Sequence, residues 1–169
     1  MSLLYYTFFG VALVFITYQD FKLREISWWT LPLVLLFSFL STELAFSDLV
    51  EPTLLNLAFV GINLIAITGY FSLKNKKLVN IINTQLGIGD VLFFAMTCFI
   101  FGVPSFVLFF VSSLILSVLY VLLFQRKDTT STIPLAGIMA AYLFVLSAVD
   151  RFTSIKFVRN DEWLNSLLS

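Results

Sequence analysis

Asp20 and Asp90 are the two side chains in this sequence best placed to do chemistry. Asp20 closes the apolar stretch 2–19 within YQDFKLRE, and Asp90 opens another within LGIGDVLF, residues 86–93. Ionisable groups inside or bordering a bilayer are costly and generally face a bundle interior. Two carboxylates about 3 Å apart cannot both ionise readily, so they hold one proton between them. The charged member can then activate a water as general base. The protonated member can hydrogen-bond a scissile carbonyl and later pass a proton to the leaving amine. Such a pair needs no histidine, cysteine, metal or cofactor, and neither metal nor cofactor is expected here. The chain has no histidine, which excludes Ser-His and Cys-His nucleophiles, His-rich zinc sites and the HExxH metalloprotease motif. Cys98, the only cysteine, can form neither an internal disulfide nor a CxxC clamp and is expected to be a small buried hydrophobe.

Gly87 and Gly89 precede Asp90. Lacking Cβ atoms, they allow unusual backbone angles and close approach of a neighbouring helix or substrate backbone. Read locally, Asp90 serves equally well as a helix cap answering free N–H groups, and Asp20 as an interfacial acid balanced by Lys22 or Arg24. The local sequence leaves both pairs of readings open.

The elements that must position these acids follow from composition. Of 169 residues, 60% are hydrophobic, 17% aromatic and 12% charged, whereas a soluble domain is nearer half apolar and a quarter charged. The predicted fold is all-α, a polytopic membrane helix bundle. About 20 apolar residues cross the hydrocarbon layer, and that ruler places six spans near 2–19, 28–46, 53–73, 88–102, 104–124 and 133–150. Trp28 and Trp29 suit the headgroup boundary, and Pro52 suits a first helical turn just before the third span. Gly102-Val103-Pro104 makes the fourth and fifth spans a hairpin. The first span lacks the basic start and small-residue cleavage pattern of a signal peptide and is expected to be retained. Residues 1–151 form one membrane domain. Residues 152–169, with Phe152, Ile155, Trp163 and Leu167, form an amphipathic tail expected to lie on the outer surface.

Orientation follows from the bases. Lys22 and Arg24, then Lys74, Lys76 and Lys77, then Arg126 and Lys127 fall in the links after spans one, three and five, seven of the ten bases in the chain. That face is predicted to be cytoplasmic, with both termini outside, and Arg151, Lys156 and Arg159 are the exceptions. Asp20 and Asp90 then lie at one depth, on the cytoplasmic side. A net charge of zero indicates no nucleic-acid partner; membrane lipids are the expected surroundings.

Three segments together resemble the type IV prepilin peptidase family, membrane aspartyl proteases with a GxGD motif. Gly87-Ile88-Gly89-Asp90, followed by Val91, is similar to that motif. DFKLREISWWTLP, residues 20–32, resembles the family's first-aspartate segment through Asp20, Lys22, Arg24, Ile26, Trp29, Leu31 and Pro32. Ile133-Pro134-Leu135-Ala136-Gly137-Ile138-Met139-Ala140 resembles the segment opening its last helix. The resemblance implies a peptidase domain with Asp20 and Asp90 as catalytic dyad and removal of short basic leaders from prepilin-like substrates at the cytoplasmic membrane. The chain departs from the pattern at Ser27-Trp28, where the family has Pro-Asn, and at Leu92, where it has lysine. Nothing in the chain corresponds to the paired CxxC region of bifunctional members, so cleavage without methylation is expected.

Lys22, Arg24, Lys74, Lys76 and Lys77 could contact substrate or lipid, although a topology-setting role is favoured for the three lysines at 74–77. The phenylalanines are expected to serve mostly as lipid-facing and packing surface. Asn56 and Asn63, seven apart in span three, are expected to join helices by hydrogen bonds rather than line a cavity. Glu43 and Asp150 are expected to face water at outer helix ends. Other readings compatible with the acids are a presenilin-like intramembrane protease, a proton-coupled transporter and a catalytically inactive assembly subunit. The presenilin-like pattern places Tyr directly before Asp, whereas Gln19 separates Tyr18 from Asp20 here. No inverted repeat supports a transporter.

Overall fold

The computed structural model describes residues 3–40, 46–77, 86–124, 133–152 and 157–158. Among these residues it contains six helices: α1 Leu3–Leu23, α2 Thr30–Leu40, α3 Phe46–Asn75, α4 Ile88–Thr97, α5 Val103–Phe124 and α6 Leu135–Phe152. The helical bundle expected from composition is present, and each helix falls where an apolar segment was predicted. The lengths differ. Only α3, α5 and α6 are long and apolar enough to cross a bilayer. α1 has 21 residues but ends in the polar run Gln19, Asp20 and Lys22. α2 and α4 have 11 and 10 residues, roughly 16 and 15 Å at 1.5 Å each, about half the hydrocarbon thickness.

The start of α3 corrects the sequence expectation. The helix begins at Phe46, so Pro52 lies inside it rather than in its first turn. Proline lacks the N–H that would bond the Asp48 carbonyl, a loss tolerated near a helix start. Asp48 sits in the first turn, where a negative charge complements the helix dipole. At 30 residues α3 runs ~45 Å and carries charge beyond both ends of its apolar stretch. Its far end closes with Lys76 at φ 53°. There Lys77 N–H donates to the Ser72 carbonyl at 3.2 Å and Lys76 N–H to Leu73 at 3.3 Å, the paired bonds of a Schellman cap.

α6 is the hub. It packs along α1 and also against α4 and α5, while α1 pairs with α2 and α3 lies against α4 and α5. The burial pattern follows: Ala136 to Ala140, Leu143 and Ser147 of α6 are buried, whereas α3 turns Leu54, Ile62, Ile65 and Leu73 outward. Outward apolar side chains are what hydrocarbon surroundings permit. The phenylalanines do more than coat the exterior. Phe93, Phe106 and Phe109 are fully buried, Phe101 stacks on Phe109 with centroids 4.6 Å apart, and Phe94 meets Phe110 at 5.1 Å.

Polar side chains fasten helix ends. Asn56, buried in α3, donates from Nδ2 to the carbonyls of Cys98 (3.2 Å) and Phe101 (3.0 Å), where α4 unwinds. It therefore joins helices as expected. Asn63 does not: its Nδ2 bonds Phe59 of its own helix at 2.8 Å. Cys98 is fully buried, as its setting implied. Asp150 is only half-exposed, and it accepts from the N–H groups of Phe157 (2.9 Å) and Val158 (2.7 Å). It thus ties the chain after α6 back to the bundle instead of simply facing water, with Val158 buried and Phe157 edge-on to Phe101. Glu43, Arg126, Lys127, Lys156, Arg159 and the tail positions Ile155, Trp163 and Leu167 lie outside the described residues.

Candidate active site

α6 begins where its sequence requires. Pro134 is buried, and proline suits a helix start because it has no N–H to satisfy. The first N–H groups of any helix lack partners within it, and those of α6 can be accounted for individually. Leu135 N–H bonds the Ile133 carbonyl at 2.9 Å, and Ile138 N–H makes the first intrahelical bond, to Pro134, at 3.1 Å. The two donors between them go to the two acids. Ala136 N–H donates to Asp90 Oδ1 at 2.9 Å, and Gly137 N–H donates to Asp20 Oδ2.

Carboxylates 70 positions apart in sequence are therefore held by consecutive amides, whose Cα atoms are about 3.8 Å apart. They are near enough for the Asp20 charge to act on Asp90. Both face the positive end of the α6 dipole, which favours negative charge there. Asp20 is only 7% exposed; Asp90 is half-exposed.

Asp90 also fulfils its local reading. Gly87 is the N-cap of α4 and Asp90 stands at the third helical position, where its Oδ2 accepts the Gly87 N–H at 3.2 Å. One oxygen caps α4 and the other reaches α6, so the capping role does not preclude a contact across the bundle. Gly89 lies beneath Ile26, whose Cδ1 would sit 3.2 Å from a Cβ built there. The interfacial reading of Asp20 holds for Arg24 and not for Lys22. Its carboxylate is buried against α6, and Lys22 turns to Tyr18 instead, with Nζ 2.6 Å from the hydroxyl. Arg24 closes α1 at φ 58°, with its charge close enough to act on Asp20.

Lys74, Lys76 and Lys77 are not brought to the acids. Lys74 lies over the Tyr70 ring at 6.0 Å, and Lys76 and Lys77 form the α3 cap. Leu92 is 45% exposed. Two residues beyond Asp90 on a helix, it points roughly 200° away from it, so the lysine-to-leucine departure falls outside the α4–α6 contact.

Sequence reasoning did not single out the amides of Ala136 and Gly137, because a backbone donor carries no side-chain signature. The only signal was the resemblance of residues 133–140. Gly137 has a steric reason to be glycine. A Cβ there would lie 2.9 Å from both Asp20 Oδ2 and Phe21 Cδ2, closer than real Cβ contacts allow. Thr17, one turn before Asp20, bonds the Leu13 carbonyl at 2.9 Å and approaches that of Gly137 at 3.4 Å, adding to the α1–α6 seam.

No family model, curated protein or solved structure matches the chain.

Proposed function

We propose that the protein is a membrane aspartyl endopeptidase of the prepilin-processing type, with Asp20 and Asp90 as its dyad. The observation carrying this reading is the seating of both carboxylates on consecutive amides at the start of α6. The resemblance of three segments to prepilin peptidases supports it further.

In this mechanism the pair shares one proton. The ionised carboxylate takes a proton from water as the water oxygen attacks the scissile carbonyl carbon, while the protonated acid hydrogen-bonds the carbonyl oxygen. Collapse of the tetrahedral intermediate breaks the C–N bond, and a proton passes from the dyad to the departing amine. The α6 N-terminus stabilises the negative charge of the resting pair, which returns once a proton has passed to the departing amine. The substrate class is a precursor with a short basic leader followed by a hydrophobic helix. The base-rich links put the reaction at the cytoplasmic side of the cytoplasmic membrane, which is where such a leader remains. Lys22 and Arg24, on the segment carrying Asp20, are the basic groups nearest the site in sequence.

Leader removal from a prepilin-like precursor, measured with purified protein in proteoliposomes, tests the reading. Asp20→Asn and Asp90→Asn should each lower kcat by roughly 100-fold to 10,000-fold, the span general acid–base groups supply. Undiminished cleavage in either variant ends the dyad assignment.

A further inference from the structure

We infer that Gln19 and Ser27 are positioning residues that set the spacing of the two acids through contacts separate from those of α6; this rests on the dyad reading above. Gln19 directly precedes Asp20 and is 7% exposed, an unusual place for an amide at the polar end of a helix. It is fully engaged with the loop that follows α1. Its Nε2 donates to Ser27 Oγ at 2.8 Å, and its Oε1 accepts the Ser27 N–H at 3.2 Å. Ser27 in turn starts α2: its carbonyl accepts from Thr30 Oγ1 at 2.6 Å and Thr30 N–H at 3.0 Å.

The clamp acts on the second acid through the neighbour of Ser27. Ile26 lies over Gly89, the residue before Asp90, so closely that a Cβ on Gly89 would meet it at 3.2 Å. The contacts close a ring. Asp20 and Asp90 are joined on one side through the amides of Gly137 and Ala136. On the other side they are joined through Gln19, Ser27, Ile26 and Gly89. A ring of this kind restrains the separation of two carboxylates from both sides, which a helix N-terminus alone cannot do. Two reciprocal hydrogen bonds also fix the amide orientation of Gln19, because donor and acceptor each have a defined partner. Ser27 is where the chain departs from the Pro-Asn of the resembled family. A hydroxyl and a free N–H at this position are what the Gln19 amide uses.

The test uses the full chain in proteoliposomes, with Cys98→Ser and nitroxide labels at Glu25→Cys and Leu92→Cys, both exposed positions. The parent should give one narrow distance between the loop and α4. Gln19→Leu and Ser27→Ala should each broaden it. On a prepilin-like precursor each should lower kcat about tenfold and leave KM within about twofold. The double variant should be no worse than the worse single one, since both break the same clamp, and Ser27→Thr, which keeps the hydroxyl, should recover most of the rate lost in Ser27→Ala. An unchanged distance distribution in both single variants overturns the inference, as does parental kcat in both. Broadening in the variants of a parent that itself never cleaves the precursor would instead sink the peptidase reading and leave the clamp standing.

Discussion

At the residue scale the site rests on space as much as on charge. Gly137 occupies a position where even a methyl group would strike the Asp20 carboxylate and the Phe21 ring at 2.9 Å. Gly137→Ala must displace both of them or shift α6 itself, and a displacement near 1 Å at a reacting group costs about 100-fold in rate. The expected outcome is a kcat lowered by that order with the protein still folded, read by leader cleavage alongside thermal unfolding. Gly61, around which no atom lies within 4 Å of an added Cβ, is the matching control and should accept alanine with the rate unchanged. The acids themselves were legible from their setting, since carboxylates at the ends of apolar runs stand out in a sequence with so few charges. The amides that hold them were not, because every residue except proline has one.

At the element scale, helix ends explain most of the specific contacts. Asn56 supplies donors to two carbonyls at the unwinding end of α4, although its own Oδ1 is buried without a hydrogen-bond partner among the described residues. Asn56→Ala should therefore destabilise the bundle by about 1–3 kcal/mol, because it strands buried acceptors. Asn63→Ala removes only a bond to its own helix and should cost under about 0.5 kcal/mol. Denaturation in detergent compares the two directly, and equal losses would refute the assignment of Asn56 as the inter-helix fastener. The α3 cap makes a prediction of opposite sign. Lys76 adopts a left-handed conformation that costs a side-chain-bearing residue about 1–2 kcal/mol and glycine almost nothing. Lys76→Gly should raise stability by about 1 kcal/mol, seen as a higher unfolding midpoint. Periodicity and length rules located each helix among the described residues but misjudged how α3 begins. They treat proline as a boundary, whereas a proline in the second turn loses only one bond.

At the scale of the whole molecule, the reading needs the C-terminal end of α1 and the N-terminal end of α4 on one side of the bilayer. An impermeant thiol reagent applied to sealed cells carrying Cys98→Ser should leave Glu25→Cys and Ile88→Cys unlabelled, and inverted vesicles should label both. Arg151→Cys, at the opposite end of α6, should behave the other way round. Labelling of positions 25 and 88 from opposite sides would end the proposed function.

Composition and hydropathy alone determined that this chain is a bundle of apolar helices, and the base-rich links alone gave the expectation that Asp20 and Asp90 share one depth. Hydropathy and charge are sums over neighbouring residues, so they can be read in one dimension. Only the tertiary structure decided that Asn56 rather than Asn63 bridges helices, that Asp150 binds the returning chain, and that the start of α6 is shared between the two acids. Those outcomes depend on which free hydrogen-bonding group meets which partner once helices pack, and that pairing is set by distances across the bundle that no local pattern encodes.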